Sequence, residues 1–402
     1  MVTLFRGGTI VLADKAIERS RVVVEGGVIR AIEADGKRVP KDAKVVDLEG
    51  AILTPGLVDI HVHGGGGADF MDATEARVRT VCETHLAHGT TTLFPTTTTG
   101  TEEQILAAFE ACRTVGDDQE GRPQARIAGM HLYGPYFARE KVGCHKREHQ
   151  RDPDPAEYRR YFATGMVKIA TCAAELPGAA NFYRYSRKQG ALITCGHSNS
   201  TYGEMAEAFK NGMRHVDHFW CVMSSVTSLR PRCGTPMQAG MEQFVLIEPE
   251  MSTEVIADGS HLSDELLNFA YRMKGAKRLC LVTDSSRALD MPPGRYKFGN
   301  EQDGDWFLND GEVGRTLDSS NLASSIAGMD RMVRTMFRAT GGELVDVIRM
   351  ASLTPAERVG VDGELGSIAV GKRADLVVWA SKLKVRQVYL GGELAHTAGR
   401  RR

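Results

Sequence analysis

The chain has 402 residues, of which 42% are hydrophobic and 25% are charged, and its formal net charge is −1. This length can bury a large core in one big domain or in two to three smaller ones, and the composition is ordinary for a globular protein. The near-zero charge gives no electrostatic reason to expect nucleic acid or a membrane surface as a partner, and no apolar run of about 18 residues predicts a membrane span.

The eight cysteines are scattered along the chain and form no Cys-x-x-Cys pair. This spacing indicates free thiols in a reducing compartment, and argues against a disulfide framework or a structural zinc site. Near the N-terminus, Arg6 and the glycines after it interrupt the apolar stretch, so no signal peptide is predicted. We therefore expect a cytoplasmic protein.

Both ends of the chain have the pattern of short strands joined by glycine turns. Residues 22–29 predict a hairpin, and residues 44–50 predict a further strand. The C-terminal end has the same pattern of short apolar runs separated by glycines. We expect the segments 1–53 and 361–402 to combine into one small β-sandwich. They flank a different central segment, 54–360.

The central segment alternates strand and helix patterns, with helices predicted at about 73–88, 101–115 and 202–211. Eight strands with helices between them favour an α/β fold, specifically a (β/α)8 TIM-type barrel. The predicted strands cover 54–63, 90–96, 125–132, 166–175, 191–197, 213–219, 253–259 and 278–284.

The first predicted strand ends in a His-x-His pair, His61 and His63, followed by four glycines. Side chains alternate faces along a strand, so both imidazoles point the same way and can bind one metal ion. In a TIM-type barrel the C-terminal ends of the strands meet on one face, where active sites lie. The polar side chains at these ends are His61, His63, Glu175, His197, His218 and Asp284.

Such a set of imidazoles and carboxylates suits one or two divalent metal ions per subunit, with Zn, Fe, Mn and Ni as candidates. A bound divalent ion lowers the pKa of water and polarises a carbonyl, and a carboxylate beside it can pass a proton from water to a leaving amine. Asp284 is the candidate for that carboxylate. The alternative is that Asp284 only caps the helix that follows its strand.

A series of motifs along nearly the whole chain resembles a known family. The internal motifs are Thr54-Pro55-Gly56-Leu57-Val58-Asp59-Ile60-His61-Val62-His63-Gly64, His131-Leu132-Tyr133-Gly134-Pro135, Gly143-Cys144-His145, Gly196-His197-Ser198-Asn199-Ser200-Thr201, Asp217-His218-Phe219, Ala257-Asp258-Gly259-Ser260-His261 and Leu281-Val282-Thr283-Asp284, and the tail from Leu353 to Leu376 matches as well. Together they resemble the amidohydrolase superfamily, and within it the N-acetylglucosamine-6-phosphate deacetylase family.

The resemblance implies a metal-dependent hydrolase that removes acetate from an N-acetyl amino sugar phosphate, converting N-acetylglucosamine 6-phosphate to glucosamine 6-phosphate. By motif position, His197 and His218 bind the main metal ion. His61 and His63, with Asp284, serve a second metal site. Asp284 acts first as the general base and then as the general acid.

The resemblance also implies that His145 and His261 contact the sugar or its phosphate. The β-sandwich built from both termini and a homodimer are features of the family. The expected partners are therefore a small amino sugar substrate and a second copy of the chain, with no nucleic acid and no membrane.

One departure from the family concerns the metal site, where a ligating glutamate is replaced by Tyr133. A neutral phenol is a poor ligand, because its ordinary pKa is about 10. In one interpretation Glu175 supplies the missing carboxylate. In another, the metal ion binds mainly to His61, His63 and Asp284, while the tyrosine hydrogen-bonds the substrate. In a third, the metal site is weak or absent and the activity is altered.

A second departure follows His218, where Cys221-Val222-Met223 replaces the family's Asn-Ala-Met. Arg230 and Arg232 remain as candidate phosphate-binding side chains, within the subunit or across a dimer, unless they are merely solvated. The alternative functions are hydrolysis of another N-acyl amino sugar, an N-acyl amino acid or a cyclic amide. A metal-poor, catalytically silent sugar-binding protein is a further alternative.

Overall fold

The computed structural model describes residues 2–399. Within this range the strands are β1 (Val2–Arg6), β2 (Thr9–Val11), β3 (Ala16–Ile17), β4 (Ser20–Glu25), β5 (Val28–Ala34), β6 (Lys44–Asp47), β7 (Ile52–Pro55), β8 (Leu57–Val62), β9 (Gly64–Gly65), β10 (Ala68–Asp69), β11 (Thr90–Pro95), β12 (Arg126–Ile127), β13 (Met130–Leu132), β14 (Val167–Thr171), β15 (Leu192–Cys195), β16 (His215–Val216), β17 (Ser252–Ile256), β18 (Leu279–Val282), β19 (Gly294–Phe298), β20 (Asp305–Asn309), β21 (Gly314–Thr316), β22 (Leu376–Ala380), β23 (Lys384–Leu390) and β24 (Glu393–Thr397).

The helices of the same range surround the central strands. They are α1 (Glu75–Ala87), α2 (Glu102–Asp117), α3 (Pro155–Ala163), α4 (Ala179–Lys188), α5 (Tyr202–Lys210), α6 (Val226–Cys233), α7 (Met241–Ile247), α8 (Asp264–Lys274), α9 (Met329–Ala339), α10 (Leu344–Ala351) and α11 (Leu353–Val359). None of these helices has the length and apolar character needed to cross a membrane.

Strands from both ends of the chain pair in one sheet of a small β domain. β22 runs antiparallel to β7, with Leu376 opposite Pro55, in a sheet of order β24-β23-β22-β7-β2-β3. A second sheet of order β5-β4-β1-β6 shares its apolar core, where the ring of Phe5 lies 4.9 Å from that of Tyr389. The hairpin predicted at 22–29 is confirmed by the antiparallel pair β4 and β5.

The central segment contains two parallel sheets, of order β12-β11-β8 and β13-β14-β15-β16-β17-β18. A strand is present at each of the eight predicted positions, and every residue of β8 is buried, as expected for parallel strands covered by helices. The sheets meet at a parallel bridge between Thr96 and His131. They also meet where the Asp284 amide donates to the carbonyl of His61 over 2.9 Å.

These connections place the C-terminal ends of the parallel strands around one rim. The predicted α/β class, with a separate small β domain, is confirmed. Complete closure of the sheet into an eight-stranded barrel stays a prediction.

Local sequence signals fix the helix that starts beside this rim. The Thr201 side chain accepts a hydrogen bond from the amide of Glu204 over 3.3 Å, and the carboxylate of Glu204 accepts one from the amide of Thr201 over 2.8 Å. This reciprocal capping box defines the first turn of α5. It therefore fixes the length of the turn between β15 and α5, which carries His197.

A three-stranded antiparallel sheet, β19-β20-β21, was not predicted from the sequence. It follows β18 and brings Phe298 over the rim, with its ring 5.0 Å from those of His63 and His145. The buried guanidinium of Arg287 anchors the end of β19 by donating to the carbonyls of Lys297 over 2.7 Å and Gly299 over 2.5 Å. This sheet therefore covers one side of the space above the strands.

Candidate active site

A cavity of about 440 Å³ opens at the C-terminal ends of the parallel strands. Its wall combines histidines and a carboxylate with cations and a few apolar side chains. The lining residues are Tyr133, Glu140, Lys141, Gly143, Cys144, His145, Arg147, His197, His218, Cys221, Val222, Ile256, His261, Asp284, Phe298, Asn321, Leu322 and Ser324. A volume in this range suits a small organic substrate.

His61 and His63, both buried, converge on Asp284, which lines this cavity. Nε2 of His63 lies 3.2 Å, and Nε2 of His61 3.6 Å, from Oδ1 of Asp284. One donor atom from each residue falls within 4.8 Å of the other two. Two imidazoles at the end of β8 and a carboxylate just after β18 therefore form a set that can hold a metal ion.

The charges in this set reinforce one another. Although burial opposes the charged imidazole, the carboxylates of Glu254 and Asp284 raise the pKa of His61 to about 9. Burial alone would raise the pKa of Asp284, but the imidazoles of His61 and His63 hold it well below its usual range. Asp284 is therefore ionised at neutral pH, as both a metal ligand and a general base must be.

A second set of donors, His61, Asp217 and Glu254, is equally compact but lies below the cavity. Both of its carboxylates accept hydrogen bonds from protein groups, although Oδ1 of Asp217 has no hydrogen-bond partner among residues 2–399. One oxygen of Asp217 accepts hydrogen bonds from Thr171 over 3.0 Å and from Thr194 over 2.9 Å, and Glu254 accepts one from His61. The first set, which reaches the cavity through Asp284, is thus better placed for chemistry.

Tyr133 occupies the middle of the histidine cluster. Its side chain is fully buried, and its hydroxyl oxygen lies 2.6 Å from Nε2 of His218. Burial, reinforced by the nearby carboxylates of Asp217 and Asp284, holds the pKa of Tyr133 well above its ordinary value. The phenol is therefore neutral, and its hydroxyl can act as a hydrogen-bonding group.

His197 and His218 both line the cavity, and their ring centroids lie 5.1 Å apart. Nδ1 of His197 donates to the carbonyl of Lys141 over 2.6 Å, which leaves Nε2 for the cavity. Burial lowers the pKa of His218 to about 4, so its ring is neutral. Across residues 2–399, neither histidine belongs to a set of three possible ligand atoms within 4.8 Å of one another.

His145 and His261, the predicted substrate contacts, also reach the cavity wall. The Thr99 amide donates to Nδ1 of His145 over 3.4 Å, and burial next to His197 holds the pKa of His145 well below its ordinary value. Nδ1 of His261 lies 2.8 Å from Oδ2 of Asp258. In both histidines, a hydrogen bond at Nδ1 therefore fixes the orientation of the ring.

Glu175 does not join the metal-binding set. One of its oxygens accepts hydrogen bonds from the hydroxyls of Ser198 over 2.6 Å and Ser200 over 2.7 Å, and the other accepts from the amide of Asn199 over 2.5 Å. The carboxylate thus orders the turn after His197. It lies among the backbone and hydroxyl donors of that turn, outside the two sets described above.

Arg230 and Arg232, the predicted phosphate contacts, lie outside the cavity lining. Arg230 is exposed on α6. Arg232 pairs with Glu204, with Nη1 2.8 Å from Oε2, and also donates to the carbonyl of Asn199 over 2.8 Å. Within one copy of the chain these arginines therefore do not reach the space beside Asp284.

Sequence reasoning missed Glu254, Lys141 and Arg147. Glu254 lies in the middle of the fully buried strand β17, and an acidic residue inside a predicted buried strand was the signal that could have found it. Lys141 and Arg147 line the cavity on either side of the Gly143-Cys144-His145 motif. Their position depends on how that loop folds over the rim, so no local pattern indicates it.

The chain is similar to known proteins over nearly its whole length. The model of the amidohydrolase family matches residues 52–395. The N-acetylgalactosamine-6-phosphate deacetylase of Escherichia coli O157:H7 is 32% identical, covering 98% of this chain and 100% of its own. The N-acetylglucosamine-6-phosphate deacetylase of Vibrio furnissii is also 32% identical, covering 96% of this chain and 94% of its own.

Solved structures lead to the same group. The crystal structure of N-acetylglucosamine-6-phosphate deacetylase from Pasteurella multocida superposes with a TM-score of 0.89 at 27% identity, covering 98% of this chain and 99% of that one. A variant of the Mycobacterium smegmatis enzyme, in complex with N-acetyl-D-glucosamine-6-phosphate, superposes with a TM-score of 0.87 at 27% identity, covering 99% of both chains. The chain therefore belongs to the amidohydrolase family and, within it, to the N-acetylglucosamine-6-phosphate deacetylase family.

Proposed function

We propose that this chain hydrolyses the acetamido group of N-acetylglucosamine 6-phosphate, giving glucosamine 6-phosphate and acetate, with the help of a divalent metal ion. The full-length similarity to deacetylases of amino sugar phosphates supports the reaction class. The observation that carries the proposal is the convergence of His61 and His63 on Asp284, which lines the cavity.

The donor set fits a catalytic metal site. Nε2 of His61 is buried and has no hydrogen-bond partner among residues 2–399, and two imidazoles with one carboxylate are common ligands of such ions. We assign His61, His63 and Asp284 as the ligands of one ion, with Zn, Fe, Mn and Ni as candidates. When bound, this ion would polarise the amide carbonyl and acidify water.

The protein groups around the ion transfer protons, donate a hydrogen bond and position the substrate. Asp284 takes the proton from the attacking water and later delivers it to the leaving amine. Tyr133, neutral and central in the cavity, donates a hydrogen bond to the amide oxygen as negative charge develops there. His197 and His218 are neutral and hold the acetamido group against these residues.

The phosphate group needs cations that lie within the cavity. We propose Lys141 and Arg147 for this role in place of Arg230 and Arg232, because both line the cavity wall. The Lys141 ammonium already donates to the carbonyl of Met223 over 3.1 Å, which fixes its position. A guanidinium and an ammonium together provide the directed donors that a phosphate dianion prefers.

We propose that the two parallel sheets close into an eight-stranded barrel, which the contact between Asp284 and His61 supports. We also propose the division at 53/54 and 360/361 between the β domain and the barrel, although β7 (Ile52–Pro55), which pairs with β22, continues past the first boundary to Pro55. The cytoplasmic location and the homodimer rest on the sequence and the family resemblance.

Acetate release by purified protein tests the proposed function. The panel contains N-acetylglucosamine 6-phosphate, N-acetylgalactosamine 6-phosphate, both unphosphorylated sugars and an N-acetyl amino acid. Metal-dependent turnover of a phosphorylated sugar is expected. The galactosamine epimer is the second candidate, since the E. coli relative is named for it. Absence of turnover on every compound, with metal present, would favour the silent sugar-binding alternative.

A further inference from the structure

A buried carboxylate lies directly beneath the metal-binding set. Glu254 sits in the middle of β17 with 1% of its surface exposed, and the strand around it is buried throughout. A buried charge is destabilising unless it is paired and hydrogen-bonded. The groups that pair with Glu254 therefore decide what this carboxylate does.

Glu254 connects two segments of the chain that carry histidines of the cavity. Oε1 accepts a hydrogen bond from Nδ1 of His61 over 2.5 Å and another from the backbone amide of His218 over 3.2 Å. Oε2 accepts one from Nε2 of His215 over 3.3 Å. The carboxylate thus reaches from β17 to β8, and these two strands belong to different sheets.

The contact with His61 decides which ring nitrogen is available to a metal ion. Because the carboxylate accepts from Nδ1, that nitrogen carries a proton, and Nε2 is the ring nitrogen that faces Asp284. A carboxylate behind a ligating imidazole fixes the orientation of the ring and raises its basicity. The hydroxyl oxygen of Ser252 lies 2.8 Å from Nδ1 of His215, so the histidine on the far side of Glu254 is held in place as well.

We propose that Glu254 is a positioning residue that fixes the tautomer and orientation of His61 and ties it to the backbone of His218. This inference rests on the proposed function, because it takes His61 as a ligand of the metal ion. Glu254 does not line the cavity, so it acts through the histidines and does not touch the substrate.

The test compares metal binding by wild-type protein and by Glu254→Gln, each stripped of metal with a chelator. Zn²⁺ is titrated in competition with a chromophoric chelator, and the visible absorption of Co²⁺ reports on the geometry of the site. The expected result is Zn²⁺ binding weakened by about 10- to 100-fold in Glu254→Gln, with an altered Co²⁺ spectrum. Glu254→Asp keeps the charge but shortens its reach, and weaker binding is expected there too.

Glu157→Gln is the matched control. Glu157 is 5% exposed on α3 and accepts hydrogen bonds from Arg151 over 2.9 Å and from Tyr161 over 2.6 Å, away from the histidine cluster. This substitution is expected to lower the melting temperature and leave the Kd for Zn²⁺ unchanged.

Two outcomes would overturn the inference, and they can be told apart. In the first, either folded Glu254 variant binds Zn²⁺ as tightly as the wild type, with the same Co²⁺ spectrum. That result would show that the carboxylate has only a structural role, and the proposed metal site would be unaffected. If wild-type protein bound no Zn²⁺ or Co²⁺, the metal-dependent function itself would fail, and the role of Glu254 with it.

Discussion

The hydroxyl oxygen of Tyr133 lies 2.6 Å from Nε2 of His218, where the family resemblance predicts a carboxylate that ligates metal. A buried neutral phenol cannot offset the charge of a divalent ion, and here it also contacts Nε2 of His218, which leaves only Nδ1 of that ring without a partner among residues 2–399. In our account the ion therefore binds to His61, His63 and Asp284. The tyrosine becomes a hydrogen-bond donor to the substrate.

Restoring the carboxylate is expected to create a second metal site. In Tyr133→Glu the new side chain would join His197 and His218, giving three ligands where the native chain has two imidazoles. The metal content of the metal-loaded protein, measured by elemental analysis, should rise from about one ion to about two ions per chain.

Tyr133→Phe is the control for that experiment, because it removes only the hydroxyl. Its metal content should stay at the wild-type value, while kcat falls about 10-fold or more through loss of one donor to the amide oxygen. Equal metal content in Tyr133→Glu and Tyr133→Phe would contradict the proposed arrangement.

Asp284→Asn should nearly abolish turnover. The amide cannot take a proton from water, and loss of a general base typically lowers the rate by about 10²- to 10⁴-fold. The variant should also bind metal more weakly, since the carboxylate is a proposed ligand. Asp290→Asn provides the same substitution outside the cavity lining, next to His88, and should keep most of its rate. A nearly active Asp284→Asn would exclude the aspartate as the base.

The fold was largely predictable, because its signals are local. The strand β8 is a short apolar run that ends at His61-Val62-His63, and α2 and α5 begin at capping boxes that are visible in the sequence. The antiparallel sheet β19-β20-β21 was missed, since it is an insertion after the last predicted strand. Its contribution to the cavity, through Phe298, depends on tertiary packing alone.

Part of the candidate site could also be predicted from the sequence. His61, His63 and Asp284 could be grouped because the ends of parallel strands meet at one rim. Glu175 and Arg232 also carry suitable charges, but the structure pairs them with the turn at 198–200 and with Glu204, respectively. Charge and approximate position therefore identified candidate residues, whereas their hydrogen-bond partners decided which of them face the cavity.

Lys141→Met tests the proposed phosphate contact. Loss of the ammonium should raise KM for a phosphorylated substrate about 10-fold and leave turnover of an unphosphorylated sugar nearly unchanged, because only the former presents a dianion to the cavity. Lys146→Met is the control, since that ammonium donates to the carbonyl of Asp303 over 2.8 Å and lies outside the cavity lining. An equal rise of KM in both variants would place the phosphate elsewhere.

His88 is expected to make stability depend on pH. Its ring lies between Asp290, at 3.0 Å from Nε2, and Asp330, at 2.9 Å from Nδ1. Although burial opposes the charge, hydrogen bonds to these two carboxylates raise its pKa to about 10, above the unfolded value of about 6.5. The contribution of the charged His88 ring to the free energy of unfolding is therefore fully present below about pH 6.5. It is lost as the pH rises through about 10.

His88→Gln should accordingly be less stable than the wild type by about 2 kcal/mol at pH 6, as for hydrogen bonds to charged groups. The difference should shrink steadily between pH 6.5 and 10. Urea unfolding of both proteins across this range measures it. A difference that stayed constant with pH would show that the charge of His88 does not contribute.

The central claim is that one metal ion binds between His61, His63 and Asp284, and its most direct test is anomalous X-ray diffraction from crystals loaded with Zn²⁺. Data collected on both sides of the zinc absorption edge locate the ion independently of any assumed ligand. Our account predicts a peak at about 2.0–2.2 Å from Nε2 of both histidines and from the Asp284 carboxylate. A peak held only by His197 and His218, or no peak in the cavity, would contradict it.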